Sequence, residues 1–344
     1  MALERLFGVS AMKKRILVVY TGGTIGMTIS AKGYVPDRGF EHTMREAQQA
    51  WPDIGAACEW AWLAIEPPID SADMSQSLWL QMRATIVEAL AQQHYDGVLV
   101  LHGTDTMAYT AAALAFLLYG LPVPVMLTGS MRPAGQADTD AWRNLFGAML
   151  ALCKGVLPGV YVYFHGQLLP GTRISKFYSS HDDAFQVLRT GAGVPMQPRQ
   201  APSVVPDCLA YQAAMQEVPL AVIPLFPGIR AEGLQALMST GVRGVVLECY
   251  GTGTGPAADA ALMQVLRQAS STGVVIVGIS QCPAGTMAPE AYAAGSLLMQ
   301  AGVLSSAGMT REAALAKLMW LLGSGLDAEQ LPVWWSTNLC GELQ

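Results

Sequence analysis

The chain has 344 residues, 52% of them hydrophobic and 13% charged, which is enough apolar surface for about two packed domains and rules out a disordered or solvating chain. Lys and Arg total 20 against 26 Asp and Glu, a net charge of −6; this argues against a nucleic-acid binder, which must neutralise phosphates, and favours a small or neutral ligand. The opening residues, MALERLFGVSAMKKR, carry Glu4 early and have no small-residue cleavage site, so no secretory signal is expected.

In chain order, Ile16–Tyr20 reads as a first strand, and Leu78, Met82, Ile86 and Leu90 at four-residue steps read as a one-sided helix. Val98–Leu101 is the next strand. Ala108–Leu127 is nearly uncharged, but Gly120, Pro122 and Pro124 break it into a buried helix of about three turns and a strand at Val123–Leu127, too short for the ~20 residues a bilayer needs. Val160–Phe164 follows, then a stretch with Pro195, Gln197, Pro198, Arg199, Gln200, Pro202, Ser203 and Pro206 that reads as an interdomain linker. Beyond it lie strands at Leu220–Leu225, Gly244–Leu247 and Val274–Ile279, and a helix marked by Leu315, Leu318, Met319 and Leu322. Apolar runs without strict alternation suit parallel strands buried on both faces, and their alternation with helices predicts an α/β chain with mainly parallel sheets. Two α/β domains are expected, a larger one at residues 1–205 and a smaller one at 220–344.

Two threonine motifs carry the chemistry. Tyr20-Thr21-Gly22-Gly23-Thr24-Ile25-Gly26 follows the first strand directly. Its glycines have the wrong spacing for a dinucleotide fingerprint, no Lys completes a phosphate loop, and a plain turn is the ordinary alternative. Yet Thr24 falls just outside the carboxyl end of a strand, where open α/β sheets bind ligands. His102-Gly103-Thr104-Asp105-Thr106-Met107 repeats that placement after Val98–Leu101. Helix capping by Thr104 or Asp105 explains one such residue, but not a second hydroxyl-bearing loop on the same sheet edge.

Together with Asp70-Ser71-Ala72-Asp73-Met74, Thr128-Gly129-Ser130-Met131-Arg132-Pro133, Tyr250-Gly251-Thr252-Gly253, Ser280-Gln281-Cys282 and Thr310-Arg311-Glu312, these motifs resemble the L-asparaginase family in its cytoplasmic bacterial (type I) branch, over nearly the whole chain. The resemblance implies a flavodoxin-like first domain and a Rossmann-like second one. It also implies hydrolysis of L-asparagine to L-aspartate and ammonia through a threonine nucleophile and a β-aspartyl enzyme ester. Thr24 matches the attacking threonine and Tyr34 the assisting tyrosine of a mobile loop. Thr104, Asp105 and Lys176 match the second catalytic group, both threonines being needed whichever attacks first. A free threonine hydroxyl is a poor nucleophile, so a base must help remove its proton.

Substrate recognition follows from charge: Asp105 for the ammonium of an amino-acid zwitterion, Ser71 and the Gly103–Thr104 loop for its carboxylate, with Gly23 and Asp70 in the matching segments. Ala72 and Ala141 depart from the family pattern, at a usually polar position and at a usual glycine, while Asp140 and Asn144 match and read as structural supports. A homodimer or homotetramer in the cytoplasm is implied. Some cytoplasmic members bind asparagine at a second, regulatory site, and Glu248, Cys249 and Cys282 fall in the matching region.

The remaining features read plainly. His42, His94, His102, His165 and His181 show no metal-ligand spacing, so neither metal nor cofactor is expected. The cysteines, Cys58, Cys153, Cys208, Cys249, Cys282 and Cys340, form no CxxC pair and are expected as free thiols. Trp334-Trp335 reads as packing or a subunit interface, and the scattered methionines as core. A nonenzymatic two-lobed amino-acid sensor is the alternative, but it would use Asp105 and Ser71 and leave Thr24, Tyr34, Thr104 and Lys176 without a purpose. A nicotinamide oxidoreductase fails on the glycine spacing.

Overall fold

A computed structural model of the chain describes residues 13–30, 33–37, 39–188, 202 and 204–343. Most of the expected linker, including Pro195, Gln197, Pro198, Arg199, Gln200 and Ser203, lies outside the described residues, as do residues 1–12.

The first lobe runs β1 (Lys14–Gly22), β2 (Met27–Ser30), β3 (Gly33–Pro36), α1 (Phe40–Gln48), α2 (Pro52–Ala57), β4 (Cys58–Ile69), α3 (Gln76–Gln92), β5 (Gly97–Leu101), α4 (Met107–Leu117), β6 (Pro124–Thr128), α5 (Ala141–Cys153), β7 (Gly159–Phe164), β8 (Gln167–Pro170), β9 (Ile174–Lys176) and β10 (Phe185–Val187). Its main sheet has the order β4-β1-β5-β6-β7-β8, parallel throughout except for the antiparallel β7–β8 edge. Among the parallel strands that is the 2-1-3-4-5 order of a flavodoxin-like sheet. The connections reverse direction between β1 and β5, so a crevice opens beyond the carboxyl ends of these two strands. Every residue of β5 and β6 is buried, as their unbroken apolar runs require for strands covered on both faces.

The 12-residue β4 is not among the expected strands. It is an edge strand whose side chains are mostly half-buried, and its apolar run Trp60–Ile65 is made of Trp and Ala as much as of the aliphatic residues that mark the other strands. Its edge position also accommodates Pro67 and Pro68.

The second lobe runs β11 (Leu220–Pro224), α6 (Ala231–Met238), β12 (Gly244–Cys249), α7 (Ala260–Ser271), β13 (Val275–Ser280), α8 (Ala293–Gln300), β14 (Val303–Ser305), α9 (Arg311–Gly323) and α10 (Leu331–Ser336). Its four strands are parallel and sequential, β11-β12-β13-β14, built from βαβ units without the reversal that makes a crevice in the first sheet.

Helix α4 joins the lobes. Its sequence MAYTAAALAFL is apolar on all sides and ten of its eleven residues are buried, the signature of a helix enclosed by protein. Ala108, Ala111 and Leu114 pack into the core under the first sheet, while Ala112, Ala113, Phe116 and Leu117 pack with Leu318 and Trp320 of α9. The Phe116 and Trp320 rings stack 5.7 Å apart. Gln76 on α3 pairs with both backbone groups of Val218 at 2.8 and 2.9 Å, holding the chain where it enters β11. Trp335 is buried in the shared core, and no helix among the described residues is long and apolar enough to cross a membrane.

The C-terminal segment folds back on α9 through a buried ion pair. Lys317 Nζ donates to the carbonyls of Trp335 (2.9 Å) and Thr337 (2.7 Å) and to Glu342 Oε1 (2.5 Å), and neither charged side chain is exposed. Burial lowers the Lys317 pKa, opposed by the Glu342 carboxylate. Removing one partner leaves an uncompensated buried charge. Glu342→Gln is therefore expected to destabilise the protein by about 3–5 kcal/mol in urea unfolding at neutral pH. The paired replacement Lys317→Met with Glu342→Leu should recover much of that loss; an unchanged midpoint in the single variant would overturn the assignment.

Candidate active site

Three loops meet at the crevice between β1 and β5. Gly22 and Gly23 leave β1 with φ of +117° and +88°, a region that side chains other than glycine rarely adopt. A Cβ on Gly23 would run into the backbone of Gly103 and lie 2.7 Å from the His102 carbonyl carbon. A Cβ on Gly103 would in turn collide with the Ser71 hydroxyl. The absence of side chains at these two positions lets the loops after β1, β4 and β5 touch. Thr21 Oγ1 donates to the Leu101 carbonyl (2.8 Å) and Thr106 Oγ1 to the Ser71 carbonyl (2.7 Å), tying the same loops together. Gly23, Thr24, Ser71, Gly103, Thr104 and Asp105 are thus carried on one cluster of loops. Asp70 caps the short turn Ser71–Asp73 by accepting from the Ala72 amide at 3.0 Å.

Lys176 reaches this cluster from β9, later in the chain. It ends β9, which pairs antiparallel with β10, Lys176 opposite Phe185. The buried Ile174 anchors the strand in the core beneath α4. Lys176 Nζ donates to Thr104 Oγ1 at 2.9 Å and to Asp105 Oδ1 at 2.6 Å. The two charges differ in setting, the lysine side chain being 16% exposed and that of Asp105 65%, so the ammonium lies on the protein side of the cleft and the carboxylate on the open side. Tyr34 stands apart from this group. It lies on β3, half-exposed at 48%, and its hydroxyl accepts from Gln136 Nε2. The β2–β3 hairpin follows directly on the turn that carries Thr24, and the Asp37 amide beyond it donates back to the Gly26 carbonyl at 2.7 Å.

The cluster rests on buried polar supports. Asp140 accepts from the amides of Met131 (2.9 Å) and Arg132 (3.0 Å). Asn144 donates to the Gly129 carbonyl and to Asp140, both at 3.0 Å, bracing the loop after β6. His102 is fully buried. Its Nδ1 faces the Gly103 carbonyl at 2.7 Å, an acceptor only, so this nitrogen carries the proton and Nε2 accepts from the Thr110 hydroxyl at 3.0 Å. Trp79 Nε1 donates to that hydroxyl at 2.9 Å. The chain of donors is complete with a neutral imidazole, and burial pushes the His102 pKa down to about 4.

Sequence reasoning passed over Ser175 and Glu312. The Ser175 hydroxyl donates to Glu312 Oε1, immediately before Lys176 in the chain. Thr310-Arg311-Glu312 carried only a likeness of pattern, and nothing in the sequence marks a glutamate at a helix start as buried against a strand of the other lobe. Of the region matched to a regulatory site, Glu248 is buried and paired with Arg311, Cys249 is buried and Cys282 exposed. All six cysteines are free thiols.

Residues 15–200 match the family described as asparaginase, N-terminal, and residues 220–334 the glutaminase/asparaginase C-terminal domain. The chain belongs to the asparaginase family. It is 35% identical to L-asparaginase 1 of Escherichia coli (strain K12), across 96% of this chain and 98% of that relative. It is 32% identical to the 60 kDa lysophospholipase of Mus musculus across 96% of this chain, which spans 63% of that larger protein. Among solved structures, L-asparaginase I from Vibrio cholerae superposes with a TM-score of 0.80 at 31% identity, covering 96% of this chain and 99% of that one. The match of this asparaginase-family chain extends through both lobes.

The buried histidine generates an acid limb in stability. Because the folded pKa of about 4 lies below the ordinary 6.5, the unfolded chain binds more protons between these values, and stability is lost as pH falls through that window. A shift of this size corresponds to about 3 kcal/mol. Proton-resolved titration should find the His102 imidazole neutral down to about pH 4, with unfolding free energy declining from pH 6.5; an imidazole protonating near 6.5 in the folded protein would contradict the assignment.

Proposed function

We propose that the chain hydrolyses the side-chain amide of L-asparagine to L-aspartate and ammonia, with Thr24 as the nucleophile. The observation that carries this reading is the Lys176 ammonium held between the Thr104 hydroxyl and the Asp105 carboxylate, on the sheet edge where the Gly23–Thr24 turn presses against Gly103. A sensor would need charge complementarity alone. The added hydroxyl–lysine pair is what proton transfer requires.

In this mechanism Asp105 receives the substrate α-ammonium, and the Ser71 hydroxyl with backbone N–H groups of the Gly103–Thr104 loop receives the α-carboxylate. Ala72 offers no side-chain donor there. The Thr24 oxygen attacks the side-chain amide carbon, its proton passing to a neighbouring basic group, for which Tyr34 on the adjoining hairpin is the candidate. The carbon–nitrogen bond breaks, the nitrogen takes up a proton and leaves as ammonia, and a β-aspartyl ester of Thr24 remains. Water attacks that ester, its proton passing through the same basic group to the Thr24 oxygen as the ester bond breaks, so the Thr24 hydroxyl is restored as aspartate forms, while the Lys176 ammonium and the Thr104 hydroxyl stabilise the negative charge that develops. No redox change occurs, so no electron carrier is called for. The branch resemblance supports a cytoplasmic homodimer or homotetramer, which sedimentation of the purified protein tests.

Thr24→Ala should lower kcat by at least ~10³-fold with the fold intact, as loss of a nucleophile does where other stabilising groups survive. Near-normal turnover in a folded Thr24→Ala protein would remove Thr24 from that role. Lys176→Met should lower kcat by ~10²–10⁴-fold, the range for a general acid or base, with a smaller change in KM. A surface lysine would move stability by no more than ~0.5 kcal/mol and kcat not at all, so an unchanged kcat returns Lys176 to that plainer role.

A further inference from the structure

Lys176 is delivered to the cleft by a strand of three residues, too short to fix its own position through backbone pairing alone. Its neighbour Ser175 points the other way, as successive side chains of a strand do. On that opposite side lies Glu312, in the first turn of α9 and therefore part of the second lobe. Glu312 is buried, and its Oε1 accepts the Ser175 hydroxyl. A buried carboxylate is costly unless it is hydrogen-bonded, and the N-terminal end of the α9 dipole favours negative charge at this place.

The charged groups around Glu312 are arranged to leave it for Ser175. The adjacent Arg311 is engaged by the Glu248 carboxylate and by the Tyr109 hydroxyl, while Thr310 caps the helix by accepting from the Ala313 amide at 3.1 Å. Burial raises the Glu312 pKa, and the Ser175 hydroxyl, Thr310, its own backbone amide and Arg311 act in the opposite direction.

We propose that Glu312 is a positioning residue for Lys176: reaching from the second lobe to β9, it holds Ser175 and so fixes the strand that presents the Lys176 ammonium to Thr104 and Asp105. The proposal rests on the reading of Lys176 as a catalytic residue. It makes the packing of the two lobes a condition for activity, since the acceptor comes from α9 and the strand it holds from the first lobe. A displacement of about 1 Å in a catalytic group can cost on the order of 10²-fold in rate.

The test is a set of substitutions in the full-length protein, with kcat and KM measured by ammonia release from L-asparagine. Ser175→Ala and Glu312→Ala are each expected to lower kcat by ~10- to 100-fold with a smaller change in KM, and the double variant should be no worse than the worse single one, as for residues acting as a unit. Glu312→Gln retains a carbonyl oxygen that accepts the serine hydroxyl and should recover most of the kcat lost in Glu312→Ala. On a Lys176→Met background, Ser175→Ala should lower kcat no further, a result that a general loss of stability would not produce. Should Glu312→Ala fail to fold, Ser175→Ala alone and on the Lys176→Met background still decides. Full kcat in Ser175→Ala, beside a damaged Lys176→Met, overturns the positioning role and leaves the catalytic reading standing. An unaffected Lys176→Met strikes the catalytic reading itself, and the positioning proposal with it.

Discussion

The site depends on a steric constraint more than on any single hydrogen bond. The turn after β1 and the loop after β5 approach so closely that neither Gly23 nor Gly103 has room for a side chain, and Ser71 closes against Gly103 from a third direction. Parallel neighbours in a sheet lie about 4.8 Å apart, and loops leaving adjacent strands ordinarily diverge as helices pack above them. Here the reversal of strand order at β1 and β5 gives both loops the same crevice, and the two glycines let them fill it. The backbones that carry Thr24 and Thr104 are thereby brought together. Any Cβ at either glycine would push apart the residues on which the proposed chemistry depends.

Helix α4 extends this constraint to the rest of the molecule. It begins directly after the Thr104–Asp105 loop, and its apolar character on every face commits it to burial between the first sheet and α9. Placing α4 therefore places three things: the loop at its start, the short strand β9 whose Ile174 packs beneath it, and α9 with Glu312 on its first turn. The second lobe contributes no hydroxyl or lysine to the proposed reaction. Its place is mechanical, through a helix that is buried along nearly its whole length and polar at the end nearest β9.

Much of this was legible in the sequence, and what was missed has a consistent cause. Buried parallel strands announce themselves as unbroken aliphatic runs, so Ile16–Tyr20, Val98–Leu101 and the three runs beyond residue 220 fall on observed strands. The half-buried edge strand β4 lacks that signal because its apolar run is built around Trp60 and Trp62 rather than aliphatic residues throughout, Trp62 stacking on Tyr20 at 5.3 Å. Thr24, Thr104, Asp105 and Lys176 were accessible through motif resemblance, which records local sequence. Glu312 was not, because its role depends on which strand the other lobe brings against it, and that pairing spans 137 positions. His102 shows the converse: a histidine inside a catalytic motif invites a chemical role, yet its two ring nitrogens are occupied by Gly103 and Thr110.

Burial sorts the ionisable groups of the cleft by task. Asp105 is mostly exposed and Lys176 mostly enclosed, so in the proposed mechanism a zwitterionic substrate arriving from solvent meets the carboxylate first, and the ammonium lies behind it beside the Thr104 hydroxyl. The attraction between a lysine and an aspartate is weak in water and strengthens as solvent is displaced, so a substrate that covers Asp105 also tightens the environment of Lys176. An enclosed lysine holds its place only if the backbone that carries it is held, since its long side chain is otherwise free to withdraw toward solvent. Glu312, enclosed on the far side of β9 and screened from water, supplies that hold through a neutral serine rather than through a second charge beside the lysine. A carboxylate placed directly on Lys176 from behind would compete with Asp105 and Thr104 for the same three protons; one placed a residue away constrains the strand and leaves the ammonium to the cleft.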